Sequence, residues 1–351
     1  MKEIERLKNR KKTYISIYIC MAALLLVGAA ISLSVGSADI GIINSVKLAL
    51  SKIPGMEAFF DISDFPKMHQ YIILQVRMPR VILAILVGAG LSAAGAVFQG
   101  LFRNPLADPH ILGVSSGAAL GATIAILLGI QVNFWGIGTI GVCAFAGAIS
   151  TIIIVYMIGG MKKGAKTIGI LLTGTAVSTL FSALMSLLMS LNHDQIEKVY
   201  LWTMGSFSSA VWIQVGDVGL CELVCLAVCL YFSKDLNLMA MGEETAQSLG
   251  IETIRVRKIL ILTVSVMVAA CVSVSGVIGF VGLVIPHIVR FLLGDDYRKI
   301  IPGSILGGGA FLMICDTLAR TLTAPGELPV GVLTAIVGAP YLIVLIRRKM
   351  S

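Results

Sequence analysis

Apolar residues in this chain fall into long blocks rather than into the alternating pattern of half-buried strands or the one-sided stripe of a soluble helix. The blocks lie at 14–35, 81–101, 114–128, 134–158, 168–191, 211–232, 259–275, 276–294, 304–320 and 328–346, with short polar, glycine- or proline-containing turns between them. A helix needs about 20 apolar residues to cross about 30 Å of hydrocarbon. The pattern therefore predicts an all-α, polytopic membrane protein of about ten transmembrane helices, with 1–351 forming one transmembrane domain. Its clearest unit is a hairpin over 77–121. Residues 81–101 supply a full span with two arginines, Arg77 and Arg80, at its first turn. The elbow 103–109, RNPLADP, cannot continue the helix, because each proline removes a donor and disfavours helical geometry in the residue before it. Beyond it, 114–128 reads as a short span broken at Gly117 and Gly121.

Composition agrees with the pattern. Hydrophobic residues make up 57% of the 351, charged residues only 13%, and there are 37 glycines, many in small faces that let helices approach closely in lipid. A net charge of +8 would suit a nucleic-acid partner, but the charges sit between the apolar blocks, as topology determinants do. Of 27 lysines and arginines, the ten-span reading leaves only Lys47, Lys52, Lys67, Arg77, Arg80, Lys198 and Arg320 outside, which places both termini in the cytoplasm. Residues 1–12 become a basic cytoplasmic amino terminus, 36–70 an external loop with short amphipathic helices, and 234–257 the longest cytoplasmic loop. The first block is too long for a cleaved leader. Tyr200 and Trp202 suit a short helix lying at the interface.

Candidate chemistry is sparse. Cys221, Cys225 and Cys229 recur on one helical face, yet a metal would need a further ligand, so packing is the preferred reading. Residues 159–167, GGMKKGAKT, resemble a phosphate loop at a glance, but the lysine falls one position late and no strand precedes it. Glu222 is a carboxylate inside the sixth block. It is equally a functional group of the ion-coupled kind and a hydrogen-bonding partner of a neighbouring helix. His287, beside Pro286, is read as structural. No catalytic constellation, resident metal or cofactor is expected, and the chain is not read as an enzyme.

Several long stretches carry a resemblance. RMPR at 77–80, GAGLSAAGAVFQGLFRNPLADPHILGVSSGAALGA at 88–122, GEETAQSLGI at 242–251, SGVIGFVGLVIPHIVR at 275–290 and GELPVGVLTAIVGAP at 326–340 occur in order. Together they resemble the permease family of ATP-binding-cassette importers for ferric siderophores, haem and cobalamin. The resemblance implies a homodimeric, type II importer permease in a bacterial or archaeal plasma membrane. It would work by alternating access, with two cytoplasmic ATPase subunits below and an extracytoplasmic substrate-binding protein above. Arginines at the positions of Arg77, Arg80 and Arg320 would pair with carboxylates of the binding protein, as a guanidinium fork allows. The bland alternative for Arg320 is a helical ion pair with Asp316. Residues 242–250 would form the helix that couples to the ATPase. Gly242 frees the chain, Glu243 and Glu244 suit a helix start, and Gly250 suits its end. Ala246 and Leu249 would share an exposed apolar face. An ion-coupled secondary transporter is the rival reading, with Glu222 its one support.

Overall fold

The computed structural model describes residues 2–36, 38, 40–52, 65–129, 133–134, 137–159 and 167–350. The chain is built around α4 (Met78–Leu101), almost every residue of which is buried. Before it come α1 (Lys2–Ser34), α2 (Ile42–Leu50) and α3 (Lys67–Tyr71), and a wide π-helical turn at Ile72–Arg77 joins α3 to α4. The second span is therefore a continuous apolar helix over Lys67–Leu101, 35 residues long. Arg77 and Arg80 do not stand at its first turn, as the sequence pattern suggested; they lie well inside it. The reason is local. Residues 68–76 are largely apolar and hold no proline, and the π turn lies just ahead of Pro79, whose ring would otherwise meet the carbonyl one turn back.

After the elbow, a 3-10 turn (Pro109–Leu112) leads into α5 (Val114–Leu128). A two-residue antiparallel pair, Asn133–Phe134 with Ile137–Gly138, precedes α6 (Thr139–Gly159). Then come α7 (Thr167–Leu191), the short α8 (Ile196–Thr203), α9 (Trp212–Tyr231), α10 (Ser233–Met241), α11 (Glu243–Ser248), α12 (Thr253–Ser275), α13 (Val281–Leu293), α14 (Tyr297–Ala319) and α15 (Val330–Met350). Seven helices are long and apolar enough to cross a membrane, and three shorter apolar ones, Val114–Leu128, Val281–Leu293 and Val330–Leu345, accompany them. Most of the loop after α6, residues 160–166, and most of the outer segment 53–64 lie outside the described residues.

Close backbone approach holds the middle of the bundle together. A methyl group on Gly88 would collide with the Gly308 carbonyl oxygen, and one on Gly95 with that of Gly282. Helices α14 and α13 thus lie directly on the backbone of α4, where dispersion contacts replace the hydrophobic drive that lipid does not supply. Gly117 and Gly121 play the same part and do not break α5, which runs through both. A methyl group on Gly117 would meet Thr151 and the Gly147 carbonyl of α6, so these glycines make a seam where the sequence suggested an interruption. In contrast to α4, α12 and α14, most of the surface of α1, α7 and α9 is exposed.

Candidate functional site

Two ends of the bundle carry the polar chemistry. At the first, α1 stops at Ser34 with its last carbonyls unsatisfied, as every helix does. Arg77 supplies the missing donors. Its Nη1 donates to the Leu33 and Ser34 carbonyls at 3.0 and 2.8 Å, and its Nη2 donates to that of Ala38 at 2.8 Å. Arg320, at the end of α14, reaches the same turn from the other side, donating to the carbonyls of Val35 and Ser32 and to Ser32 Oγ. Cations suit this terminus for the further reason that the helix dipole is negative there.

Arg80 makes a different bond. Its Nε and Nη2 grip the Asp316 carboxylate at 2.9–3.1 Å, and its Nη1 donates to Glu327 Oε1 at 2.9 Å. Arg80 and Asp316 are buried, 7% and 1% exposed. A fork matched to a carboxylate is the geometry in which a desolvated ion pair holds best, and removing one partner strands the other charge. Asp316 is therefore not the intrahelical partner of Arg320; it joins α14 to α4. The three candidate arginines do converge at one end, but all three spend donors within the chain, and only Arg320 is less than fully buried. The sequence offered Asp316 only as a partner of Arg320 and did not single out Glu327, because nothing local pairs either with an arginine more than 230 residues away.

At the opposite end, α10 and α11 form a short angle about Gly242, whose φ of 148° lies where a side chain is rarely tolerated. Gly250, at φ 86°, ends α11's turn. Glu243 and Glu244 occupy the first turn of α11. Glu243 accepts from Arg257 Nη2 at 3.1 Å and from Thr253 Oγ1 at 3.3 Å, and Arg257 holds its carboxyl below the usual range. Glu244 is exposed. Ala246 is wholly buried, because α11 folds back between α10 and α12, so it cannot form the exposed face expected with Leu249. The exposed apolar surface here is Met241, Leu249 and Ile254. Asn237 ties this unit to α14. Its Nδ2 donates to Asp296 Oδ1 at 2.8 Å, while its Oδ1 accepts from the backbone N–H of Tyr297 at 2.8 Å. Asp296 also caps α14 and pairs with Arg298, which holds its carboxyl down at about 2.

Between the ends, Glu222 of α9 is 2% exposed and seated over Gly90 of α4, accepting from Cys271 Sγ at 3.2 Å. His287 lies edge-on to Tyr341 of α15, with ring centres 6.2 Å apart. Among the described residues, no group of three or more His, Cys, Asp or Glu side chains is placed to hold a metal ion.

The family described as the FecCD transport family matches residues 24–348. The chain belongs to it. Within this FecCD relationship, the cobalamin import system permease protein of Halobacterium salinarum is 43% identical over 287 residues, covering 81% of this chain and 75% of the relative. The hemin transport system permease protein of Yersinia pestis is 41% identical over 283 residues, covering 80% of this chain and 84% of the relative. A metal-chelate type ABC transporter solved in an inward-facing conformation superposes with a TM-score of 0.81 at 32% identity, covering 95% of this chain and 99% of the other. This protein is thus a multi-pass membrane permease of the ABC transporter kind, a transport component and not a catalytic enzyme.

Proposed function

We propose that this permease moves a metal chelate, a ferric siderophore, haem or cobalamin, into the cytoplasm by alternating access, using ATP hydrolysed by two separate subunits. The observation that carries the reading is the likeness, over 95% of the chain, to a metal-chelate type transporter. The asymmetry of basic residues supports an orientation with both termini and the α10–α11 unit in the cytoplasm, in a bacterial or archaeal plasma membrane. The ATPase docks on the α10–α11 unit, residues 242–250, through the exposed Leu249 and its neighbours. A substrate-binding protein docks at the opposite end, around Arg77, Arg80 and Arg320. Arg320 is the least enclosed of the three, and Glu327 beside Arg80 is partly exposed. Two copies assemble around a shared pathway, for which α7 offers an exposed apolar stripe at Leu180, Leu184, Leu187 and Leu191.

Reconstitution in vesicles with the ATPase and binding protein of the same system tests this reading. Chelate should accumulate only with ATP inside the ATPase compartment, and vanadate should stop it. Accumulation that follows an ion gradient without ATP would overturn the proposal and return Glu222 to a coupling role.

A further inference from the structure

A cavity of about 330 Å³ opens beside the α10–α11 unit, between the last turn of α4, α10 and the junction of α13 with α14. Gln99, Arg103, Asn237, Arg290, Asp295 and Tyr297 line it, with Met241 at its edge. Two guanidiniums face one small space, and neither is fully matched. Arg290 Nη2 donates to Tyr297 Oη at 2.7 Å, but its Nε lacks a hydrogen bond and lies 3.6 Å from the Asp295 carboxylate, which is itself mostly in solvent. Arg103 is exposed, and no carboxylate of the described residues pairs with it, although its charge is felt at Glu243. It is also held at φ 47°, left-handed geometry that a non-glycine residue adopts at a cost. Behind the two arginines, Gln99 is 1% exposed. Its Nε2 donates to the Gly282 and Leu283 carbonyls, which fixes the amide and leaves Oε1 without a partner. Asn237 is fixed in place by Asp296 and Tyr297, which take its Oδ1 and one of its two Nδ2 hydrogens.

The donors of the two arginines outnumber the one lining carboxylate, the solvated Asp295, and an anion with flat, bidentate acceptors would complete them, while Gln99 Oε1, itself an acceptor, takes no part. Its mouth is bordered by Met241, 73% exposed, and adjoins the Leu249 surface on which the ATPase docks in the reading above. We propose that the cavity receives the carboxylate of an aspartate or glutamate side chain from the ATPase subunit, gripped between Arg103 and Arg290. The apolar rim would then exclude water from the pair and strengthen it. This inference rests on the docking of an ATPase at α10–α11, and it adds the charge that fixes the subunit's register there.

The test is binding of the purified full-length permease, in detergent, to the ATPase of its own system. Arg103→Glu should weaken association about tenfold or more, corresponding to about 1.4 kcal/mol, and Arg103→Lys should fall between it and wild type. Because Arg103 is exposed, its thermal unfolding should not move. A lysine scan of acidic residues on the ATPase's docking face should find one change that restores binding to Arg103→Glu. Leu249→Asp separates the two readings. If it abolishes binding while Arg103→Glu binds as wild type, the cavity proposal falls and the docking site stands. If both bind as wild type, both fall. A loss seen only in vesicles containing anionic lipid, and not in detergent, would mean that the cavity holds a lipid headgroup, which also overturns the proposal.

Discussion

The two ends of this bundle use arginine in opposite ways. At the α1 terminus, Arg77, Arg80 and Arg320 are turned inward, onto carbonyls and onto the buried Asp316, so that charge serves to lock α1, α4 and α14 together. At the α10–α11 end, Arg103 shares a cavity with exposed Met241 and has no carboxylate partner among the described residues, so charge is left over. The difference teaches that counting arginines at a membrane boundary does not identify a docking surface. What matters is how many donors remain after the chain has satisfied its own helix ends.

Mutations at the two ends should therefore fail in different assays. The largest effect is expected for Arg80→Ala, which strands Asp316 in the bundle and should cost roughly 3–5 kcal/mol of stability, seen as a lowered unfolding midpoint in detergent. An unchanged midpoint would mean that the two ends do not differ as described. Arg77→Ala comes next: it deletes charged hydrogen bonds to three carbonyls, each of a kind worth about 1.5–3 kcal/mol, but water can reach part of the vacated turn, so the net loss should be smaller than for Arg80→Ala. Arg320→Glu sharpens the comparison, because Arg320 is partly exposed. Affinity for the binding protein should drop about tenfold, equivalent to about 1.4 kcal/mol, with a smaller change in stability than at Arg80. Equal affinity would reduce Arg320 to a helix cap.

The smallest effect is expected at Asp296. Its folded carboxyl is held at about 2, below the value of about 3.9 for an unperturbed aspartate. Its contribution to stability is thus complete above about pH 4–5 and fades as the pH falls towards 2. The unfolding midpoint of Asp296→Ala should lie slightly below wild type at pH 7, and the gap should close on acidification. A gap that widened would mean that Asp296 gains nothing from Arg298 and Asn237.

The spans were legible in the sequence because about 20 apolar residues leave few alternatives to a membrane helix. Placement within them was not. The start of the second span was set too late, with Arg77 and Arg80 at its first turn, whereas a π turn over Ile72–Arg77 carries the helix through them from Lys67. Gly117 and Gly121 looked like interruptions because their partners, Gly147 and Thr151 on α6, are distant in the chain. Residues 242–250 were legible as a glycine-bounded helix, but which side it buries depends on α12. Ala246 consequently went inward and Leu249 stayed out. The Arg80–Asp316 pair joins positions 236 residues apart, and no local pattern announces a bond of that reach.

Helix α14 is the one rod pinned at both extremities: Asp296 and Asn237 fasten its first turn, and Arg80 fastens its last through Asp316. At 1.5 Å per residue, its 23 residues measure roughly 34 Å, close to the full depth of the hydrocarbon layer. Near its centre the Gly88–Gly308 contact presses it onto the backbone of α4, so the helix is held at three levels through the bundle.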